Sequence, residues 1–171
     1  GGHCIPVDPY YFTWRASAVG RPARLVETAV DINTTMPAIV VKRITEALAV
    51  DEVSISSSKI LVVGLAYKPE VGDTRESPSL ELIHSLSEMG AVLDYSDPYV
   101  PLVSLEDGRG GTMVNTPLSP AKVGEYDAVI IATAHAAVDY SLIARHAVLI
   151  IDTRNAIHKA GLTARCRLVK A

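Results

Sequence analysis

The sequence predicts an α/β fold, namely a doubly wound, mostly parallel, Rossmann-like sheet preceded by a long helix. The first observation is a set of short, unalternating, β-branched apolar runs, at 59–64, 127–132 and 147–152. Such runs are typical of strands buried on both faces of a parallel sheet. The second is that helical stretches alternate with these runs, so the order is βαβ repeated. The third is a 3.6-residue apolar periodicity over 24–50.

The first eleven residues, GGHCIPVDPYY, combine a thiol, an imidazole, a carboxylate and two phenols with glycine and proline. Glycines let a backbone approach a ligand closely, and prolines should keep the stretch from forming a regular helix. Cys4 is followed four residues later by Asp8, which places a nucleophile near a potential base. We therefore predict an active-site loop over 1–21. The alternative is that Cys4 is a small buried hydrophobic residue.

The segment 22–50 is predicted to be one long helix whose apolar stripe continues on both sides of Pro37. The stripe consists of Ile32, Met36, Val40, Ile44 and Leu48. An internal proline removes a backbone hydrogen bond, so the helix should be kinked there or split in two. A stripe this long needs more partner surface than a small sheet offers. We expect the helix to bridge domains or to pack against a second subunit, and the alternative is a helix lying on its own domain.

The segment 59–171 follows a polar, serine-rich linker and is predicted to form the sheet domain. A helix over 78–89 should begin after Ser77 as its N-cap and stop at Gly90. Right-handed crossovers then place a ligand crevice at the carboxyl ends of the strands. The other predicted elements are strands at 59–64, 91–96, 112–116, 127–132 and 147–152, and short helices at 119–123 and 139–144.

Cationic side chains follow the strand ends of this domain. Lys68 and Arg75 come after the first strand, and Arg154 comes after the last. Guanidinium groups match phosphate oxygens, so these residues suit a diphosphate or a ribose approached from outside the sheet. The alternatives are that they are solvated loop charges, or that Arg75 pairs with Glu76 or Asp73.

The dinucleotide fingerprint G-x-G-x-x-G is absent after the first strand. Gly64 stands alone there, and Lys68 and Pro69 occupy the place of a glycine turn. We therefore expect that this sheet does not hold NAD in the way an ordinary dinucleotide domain does.

Composition narrows the classes of function. The net charge of −3 and the few scattered aromatics give no nucleic-acid surface, so no nucleic-acid partner is expected. No apolar run reaches the roughly 20 residues of a membrane span, so we expect a soluble, cytoplasmic protein without a membrane partner. Cys4 and Cys166 fit no zinc or disulfide spacing, which predicts reduced thiols and no metal site. The chain starts without an initiator Met, so we expect a fragment whose first loop is held by an upstream segment.

Five ordered motifs resemble the UDP-glucose/GDP-mannose dehydrogenase family. They are GGHCIPVDPYY at 1–11, Asn33 in the long helix, GLAYKP at 64–69, DTRESP at 73–78 and DTRN at 152–155. They are similar to the C-terminal portion of the family, which comprises a catalytic-cysteine loop, a central bridging and dimer-forming helix and a UDP-binding domain. The sequence of the loop is most similar to the loop sequences of the branch that oxidises UDP-N-acetyl-hexosamines.

The resemblance implies oxidation of the C6 alcohol of a UDP-sugar to a uronate, with two NAD molecules in succession. Cys4 would be the nucleophile that forms a thiohemiacetal and then a thioester, and Asp8 would orient or deprotonate water. His3 would act as a base or make only local hydrogen bonds. The residues that match substrate-contacting positions of the family are Tyr67, Lys68 and Arg154.

Arg75 matches a family residue that reaches the NAD of the neighbouring domain. The NAD domain of the family and its upstream lysine and glutamate have no counterpart in this sequence, so the chain alone should not turn over, although it should dimerise and bind UDP weakly. His135 is expected to be a cap or a solvent-facing residue. Two other classes of function stay open, namely a non-catalytic UDP-sugar binding module and a dimerisation module.

Overall fold

A computed structural model of the protein describes residues 1–105 and 111–171. The helices are α1 (Asp8–Ala18), α2 (Arg24–Val50), α3 (Pro78–Glu88), α4 (Pro120–Val123), α5 (Tyr140–His146) and α6 (Ala156–Lys159). The strands are β1 (Lys59–Val63), β2 (Val92–Ser96), β3 (Leu102–Ser104), β4 (Thr112–Val114), β5 (Ala128–Ile131), β6 (Leu149–Asp152) and β7 (Arg167–Lys170).

Five of these strands form one sheet in the order β2-β1-β5-β6-β7, and every neighbouring pair is parallel. The predicted doubly wound α/β fold is therefore confirmed. β2 lies on one side of β1, and the next strand of this sheet along the chain, β5, lies on the other side of β1. This reversal puts the topological switch point between β1 and β5, where ligands bind in open sheets of this kind. Val63 lies opposite Ile131, which lies opposite Asp152, so the three strands end at one edge.

Helices cover both faces of the sheet because successive strand residues point to opposite sides. Ile60 and Val62 pack with α2 and α3. Leu61 and Val63 pack with α4, α5 and α6. All four side chains are fully buried, which explains why β1 reads as an unalternating apolar run.

Among the described residues of the sheet domain, three elements were not predicted, and one predicted strand pairs elsewhere. The strand expected at 112–116 exists as β4, but it forms a separate two-stranded antiparallel sheet with the unpredicted β3. The other unpredicted elements are α6 and the edge strand β7. β7 has cationic residues at both ends and is only partly buried, so it lacks the apolar signal of the inner strands.

The expectation that prolines keep the first segment free of regular helix was wrong beyond Val7. Asp8–Ala18 is α-helical, and Pro9 lies in its first turn. A first-turn proline loses no intrahelical hydrogen bond, and its fixed φ suits a helix start. The predicted loop is thus a turn at 1–7 followed by α1.

α2 is a single helix with Pro37 inside it, so of the two predicted outcomes, a kink or a split into two helices, the split was wrong. Val40, Ile44 and Leu48 are buried against the sheet domain, as the alternative of a helix lying on its own domain requires. Ile32 and Met36, on the N-terminal side of Pro37, are exposed. Only the C-terminal half of the stripe is therefore covered by the part of this chain that the structure describes.

Candidate active site and adjoining clefts

The cysteine turn packs directly on the segment that follows β1. The Gly2 amide donates a hydrogen bond of 3.2 Å to the carbonyl of Glu76. Gly2 has a φ of +66°, and a Cβ at this position would lie 2.8 Å from the ring of Tyr67. Only glycine fits both the left-handed backbone and the close approach. The turn that carries Cys4 is therefore positioned by Tyr67.

His3, Cys4 and Asp8 form an exposed cluster on this turn. Their imidazole, thiol and carboxylate atoms all lie within 4.8 Å of one another. The turn that produces this cluster is closed by the His3 carbonyl, which accepts a hydrogen bond of 2.9 Å from the Asp8 amide. The Cys4 side chain is exposed, so its interpretation as a buried hydrophobic residue is wrong. The structure does bring the predicted nucleophile and its predicted base together.

A small cleft of about 270 Å³ lies at the carboxyl ends of β1, β5 and β6. Tyr67, Thr133 and Arg154 line it from the sheet side, and Asn33 lines it from α2. This position is the switch point of the sheet, where the sequence predicted a ligand crevice. Two of the three residues predicted to contact the substrate thus share one cleft.

Lys68, the third predicted substrate residue, is exposed beside this cleft and does not line it. Its ammonium group lies 5.4 Å from the centroid of the Tyr67 ring, which is within the range of a cation–π contact. The Lys68 side chain therefore stays close to Tyr67 without a position inside the cleft.

A larger cleft of about 1110 Å³ lies between the cysteine turn, α2 and α3. His3 and Arg75 line it, as do Asn33 and Pro37, which also line the small cleft. Arg75 and Arg154 therefore face different clefts. Residues of α2 stand between the two spaces and contribute to both.

Arg75 is paired with Asp73, which was one of the alternatives considered from the sequence. The guanidinium Nη2 and Nε atoms donate to Asp73 Oδ2 at 2.6 and 3.1 Å. The Arg75 hydrogen bonds lower the pKa of the Asp73 carboxyl to about 2. The side chain of Arg75 is 77% exposed, so an anionic ligand can reach the guanidinium.

A buried polar network supports the segment that carries Tyr67 and Lys68. Asp97 Oδ2, at the end of β2, accepts hydrogen bonds of 2.6 and 3.1 Å from the amides of Leu65 and Ala66. His135, which follows β5, is fully buried and its Nε2 atom lies 3.1 Å from the same carboxylate oxygen. His135 Nδ1 accepts a hydrogen bond of 3.0 Å from the Glu70 amide. The proton of the neutral imidazole is therefore on Nε2, which donates to Asp97.

Known proteins resemble the chain over the same segments. Residues 61–159 match the model of the UDP binding domain of the UDP-glucose/GDP-mannose dehydrogenase family, and residues 1–35 match its central domain. The chain belongs to this family. The resemblance predicted from the five motifs is therefore confirmed.

The matched relatives of this family member are longer proteins. A UDP-N-acetyl-D-glucosamine 6-dehydrogenase from Pseudomonas aeruginosa is 32% identical over 79% of this chain and 31% of its own length. A UDP-N-acetyl-D-mannosamine dehydrogenase from Pyrococcus horikoshii is 37% identical over 92% of this chain and 35% of its own length. The chain thus spans about a third of the length of the curated relatives it matches.

Solved structures of the dehydrogenase family share the fold. A UDP-D-ManNAc dehydrogenase from Pyrococcus horikoshii has a TM-score of 0.77 at 31% identity, covering 99% of this chain and 38% of that protein. A UDP-glucose dehydrogenase from Pyrobaculum islandicum has a TM-score of 0.71 at 28% identity, covering 91% of this chain and 35% of that protein. Within the described ranges, none of the helices has the length and apolar character that crossing a membrane requires.

The sequence analysis missed how this family member supports the segment that carries Tyr67 and Lys68. His135 was expected to be a cap or solvent-facing, but it is fully buried, so the solvent-facing interpretation was wrong. Asp97 carried a signal, because it directly follows a predicted strand. The two residues are 38 positions apart, however, and nothing in their local sequence pairs them. Only the parallel sheet, which ends β2 and β5 at the same edge, brings them together.

Proposed function

We propose that this chain supplies the thiol nucleophile and the UDP-binding surface of a NAD-dependent UDP-N-acetyl-hexosamine 6-dehydrogenase. The observation that supports this most is the direct packing of the turn carrying Cys4 on Tyr67. Tyr67 in turn lines the switch-point cleft together with Arg154. A ligand held in that cleft therefore lies near the turn that presents the exposed thiol.

Cys4 is the group that bonds to the substrate in this proposal. Its thiolate adds to the aldehyde carbon at C6, and the resulting alkoxide takes up a proton, which gives a thiohemiacetal. After oxidation to the thioester, water attacks the same carbon, the C–S bond breaks, and the carboxylate leaves while the thiolate is restored. An alcohol oxidation that removes only one hydride would not need the thiol.

Asp8 and His3 are placed to move protons during these steps. Both have a polar atom within 4.8 Å of the Cys4 sulfur. Asp8 is the first residue of α1. We assign the activation of the hydrolytic water to the Asp8 carboxylate. We assign the uptake of the thiol proton to His3.

The substrate's nucleotide is assigned to the small cleft. Arg154 and Tyr67 line it, and the Lys68 ammonium lies beside the Tyr67 ring. A guanidinium fork matches the oxygens of a diphosphate, and an aromatic face suits a sugar or a base. These are the contacts that a UDP group needs.

Two NAD molecules, bound in succession, would each accept one of the two hydrides removed from C6. This chain offers NAD one contact, the guanidinium of Arg75, which is exposed in the larger cleft. The missing G-x-G-x-x-G fingerprint means that this chain does not hold the dinucleotide by itself. We therefore propose that the 171-residue chain is inactive alone.

The test is a complementation assay that follows NADH absorbance. The chain is mixed with a separate polypeptide that carries the family's Gly-rich NAD domain, and UDP-N-acetylglucosamine or UDP-N-acetylmannosamine is added with NAD. We expect NADH only in the mixture, and we expect Cys4→Ala to abolish it. Cys166→Ala, which removes the other thiol, should retain activity. Restored activity that survives Cys4→Ala would contradict the catalytic assignment, and NADH from the chain alone would contradict the proposed inactivity.

A second candidate function is dimerisation, which the exposed apolar side chains of α1 and α2 favour. Large apolar residues that are exposed there include Phe12, Trp14, Leu25 and Ile32. Exposed apolar patches of this kind mark interfaces. We propose that the chain forms a homodimer through these helices. Calorimetric titration with UDP separates the functions, because a pure dimerisation module gives no UDP binding heat.

A further inference from the structure

The His3, Cys4 and Asp8 cluster offers three different donor atoms to one metal ion. The imidazole nitrogen, the sulfur and a carboxylate oxygen lie within 4.8 Å of one another. Bond lengths of about 2.0 to 2.3 Å to zinc put neighbouring donors on a tetrahedral ion about 3.3 to 3.8 Å apart. The cluster therefore needs to contract by roughly one ångström. All three side chains are exposed, so rotamer changes can supply that movement.

The backbone already holds the three residues in one turn. The His3 carbonyl accepts hydrogen bonds from the amides of Val7 and Asp8 at 3.0 and 2.9 Å. These bonds fold Asp8 back towards His3. Gly2, the residue before the turn, is fixed by its contact with Tyr67. The backbone turn therefore already brings the three donors within 4.8 Å of one another.

The donor types select the class of metal. Thiolate and imidazole ligands favour Zn²⁺ and Co²⁺, whereas Mg²⁺ and Ca²⁺ require oxygen ligands. We infer that His3, Cys4 and Asp8 form a binding site for a thiophilic divalent cation of the zinc class, with a fourth position open to water. On binding, the Cys4 thiol loses its proton to solvent and a metal–sulfur bond forms. No electron is transferred.

Bound metal would block the proposed chemistry. A sulfur lone pair shared with a cation is not available to add to a carbonyl carbon, so the ion is a reversible inhibitor. This consequence rests on the proposed catalytic role of Cys4. Metal binding itself rests only on the three donor atoms and is measured without substrate.

The experiment is a titration of the full chain with Co²⁺, in a phosphine reductant that keeps thiols reduced without competing strongly for metal. We expect a thiolate-to-cobalt charge-transfer band in the near ultraviolet, which Zn²⁺ abolishes by displacement and Mg²⁺ leaves unchanged. Cys4→Ser should remove the band. His3→Gln and Asp8→Asn should each lower the cobalt affinity at least about tenfold.

Two variants serve as matched controls. Cys166→Ser removes the other thiol, and His158→Gln removes an exposed histidine on α6. Both should bind Co²⁺ as the unaltered chain does. The inference is overturned if cobalt gives no thiolate band, if Cys166→Ser removes the band, or if His3→Gln and Asp8→Asn leave the affinity unchanged. None of these outcomes depends on NADH production, so failure of the metal site and failure of the proposed function are distinguishable.

Discussion

Gly2 determines where the candidate nucleophile lies, although it contributes no side chain. Its left-handed backbone turns the chain onto Tyr67, and the ring leaves no room for a Cβ. Cys4 follows two residues later on the same turn. The position of the sulfur therefore depends on a close backbone approach that the glycine-rich start of the sequence indicated.

We predict that Gly2→Ala loosens the cysteine turn. Left-handed backbone costs an alanine about 1–2 kcal/mol, and at this position the new methyl also collides with the Tyr67 ring. Hydrogen exchange followed by mass spectrometry should show faster exchange over residues 1–7. Gly20→Ala is the matched control, because Gly20 has a similar φ of +71° and none of the described residues comes within 4 Å of the place that its Cβ would take. Equal protection of residues 1–7 in both variants would contradict the role of the Tyr67 contact.

The pair formed by Asp73 and Arg75 predicts a specific pH dependence. The folded pKa of Asp73, about 2, is below the ordinary value of 3.8. A depressed carboxyl pKa contributes stability that is present above pH 3.8 and is lost as the pH falls towards 2. A pH titration followed by the ¹³C NMR signal of the Asp73 carboxyl should show the lowered pKa. Arg75→Gln should return the Asp73 pKa towards its ordinary value. An unchanged midpoint in Arg75→Gln would contradict this assignment of cause.

The residues of the site differ in how far the sequence could predict them. Cys4, Tyr67 and Arg154 stand in motifs that indicated their chemistry, and the structure places them around adjoining surfaces. His135 and Asp97 could not be paired from the sequence, because their contact depends on which strands end at the same edge. Local spacing carries no information about that edge.

At the scale of elements, the predictions succeeded where burial or capping leaves a local signal. β1, β5 and β6 are buried at nearly every position, and α3 begins at a Ser77 side chain that accepts from the Ser79 amide. The short elements β3, β7 and α6 are partly exposed or contain charges, so their stability comes from neighbours distant in sequence. The helical start at Asp8 was missed because a proline can begin a helix as well as end one.

Pro37 gives a prediction about α2. Proline has no amide hydrogen, so the Asn33 carbonyl has no donor four residues later in the helix. Alanine at position 37 restores an amide that can donate to this carbonyl. We expect Pro37→Ala to raise the free energy of unfolding by about 2 kcal/mol, and the midpoint of thermal unfolding by about 4–8 °C. Pro22→Ala, outside the helix and exposed, is the control and should change the midpoint far less. A lower midpoint for Pro37→Ala would mean that the proline ring stabilises the clefts it lines.

At the scale of the whole molecule, α1 and the N-terminal half of α2 expose large apolar side chains that the described residues leave uncovered. α1 has no buried residue, although it contacts α2. Trp14 is 70% exposed and Ile32 is 58% exposed. We predict that the purified chain sediments with the mass of a dimer, and that Trp14→Glu or Ile32→Glu shifts it to the monomer by placing a charge in the apolar contact.

Val148→Glu provides the control for this experiment. Val148 is 57% exposed, lies directly before β6 in the sheet domain and belongs to neither of the two helices. The variant should keep the mass of the dimer. A monomeric unaltered chain, or dissociation by Val148→Glu alone, would contradict an interface formed by α1 and α2.

The contact between Gly2 and Tyr67 has one more consequence. It packs the turn that carries Cys4 against Tyr67, which lines the proposed nucleotide cleft, so the distance between the sulfur and that cleft is limited. In the proposed function, a nucleotide sugar reaches the thiol only if the distance from its diphosphate to its oxidised carbon matches that separation. A shorter or longer linkage would leave that carbon out of register with the sulfur, however tightly the uridine end was held.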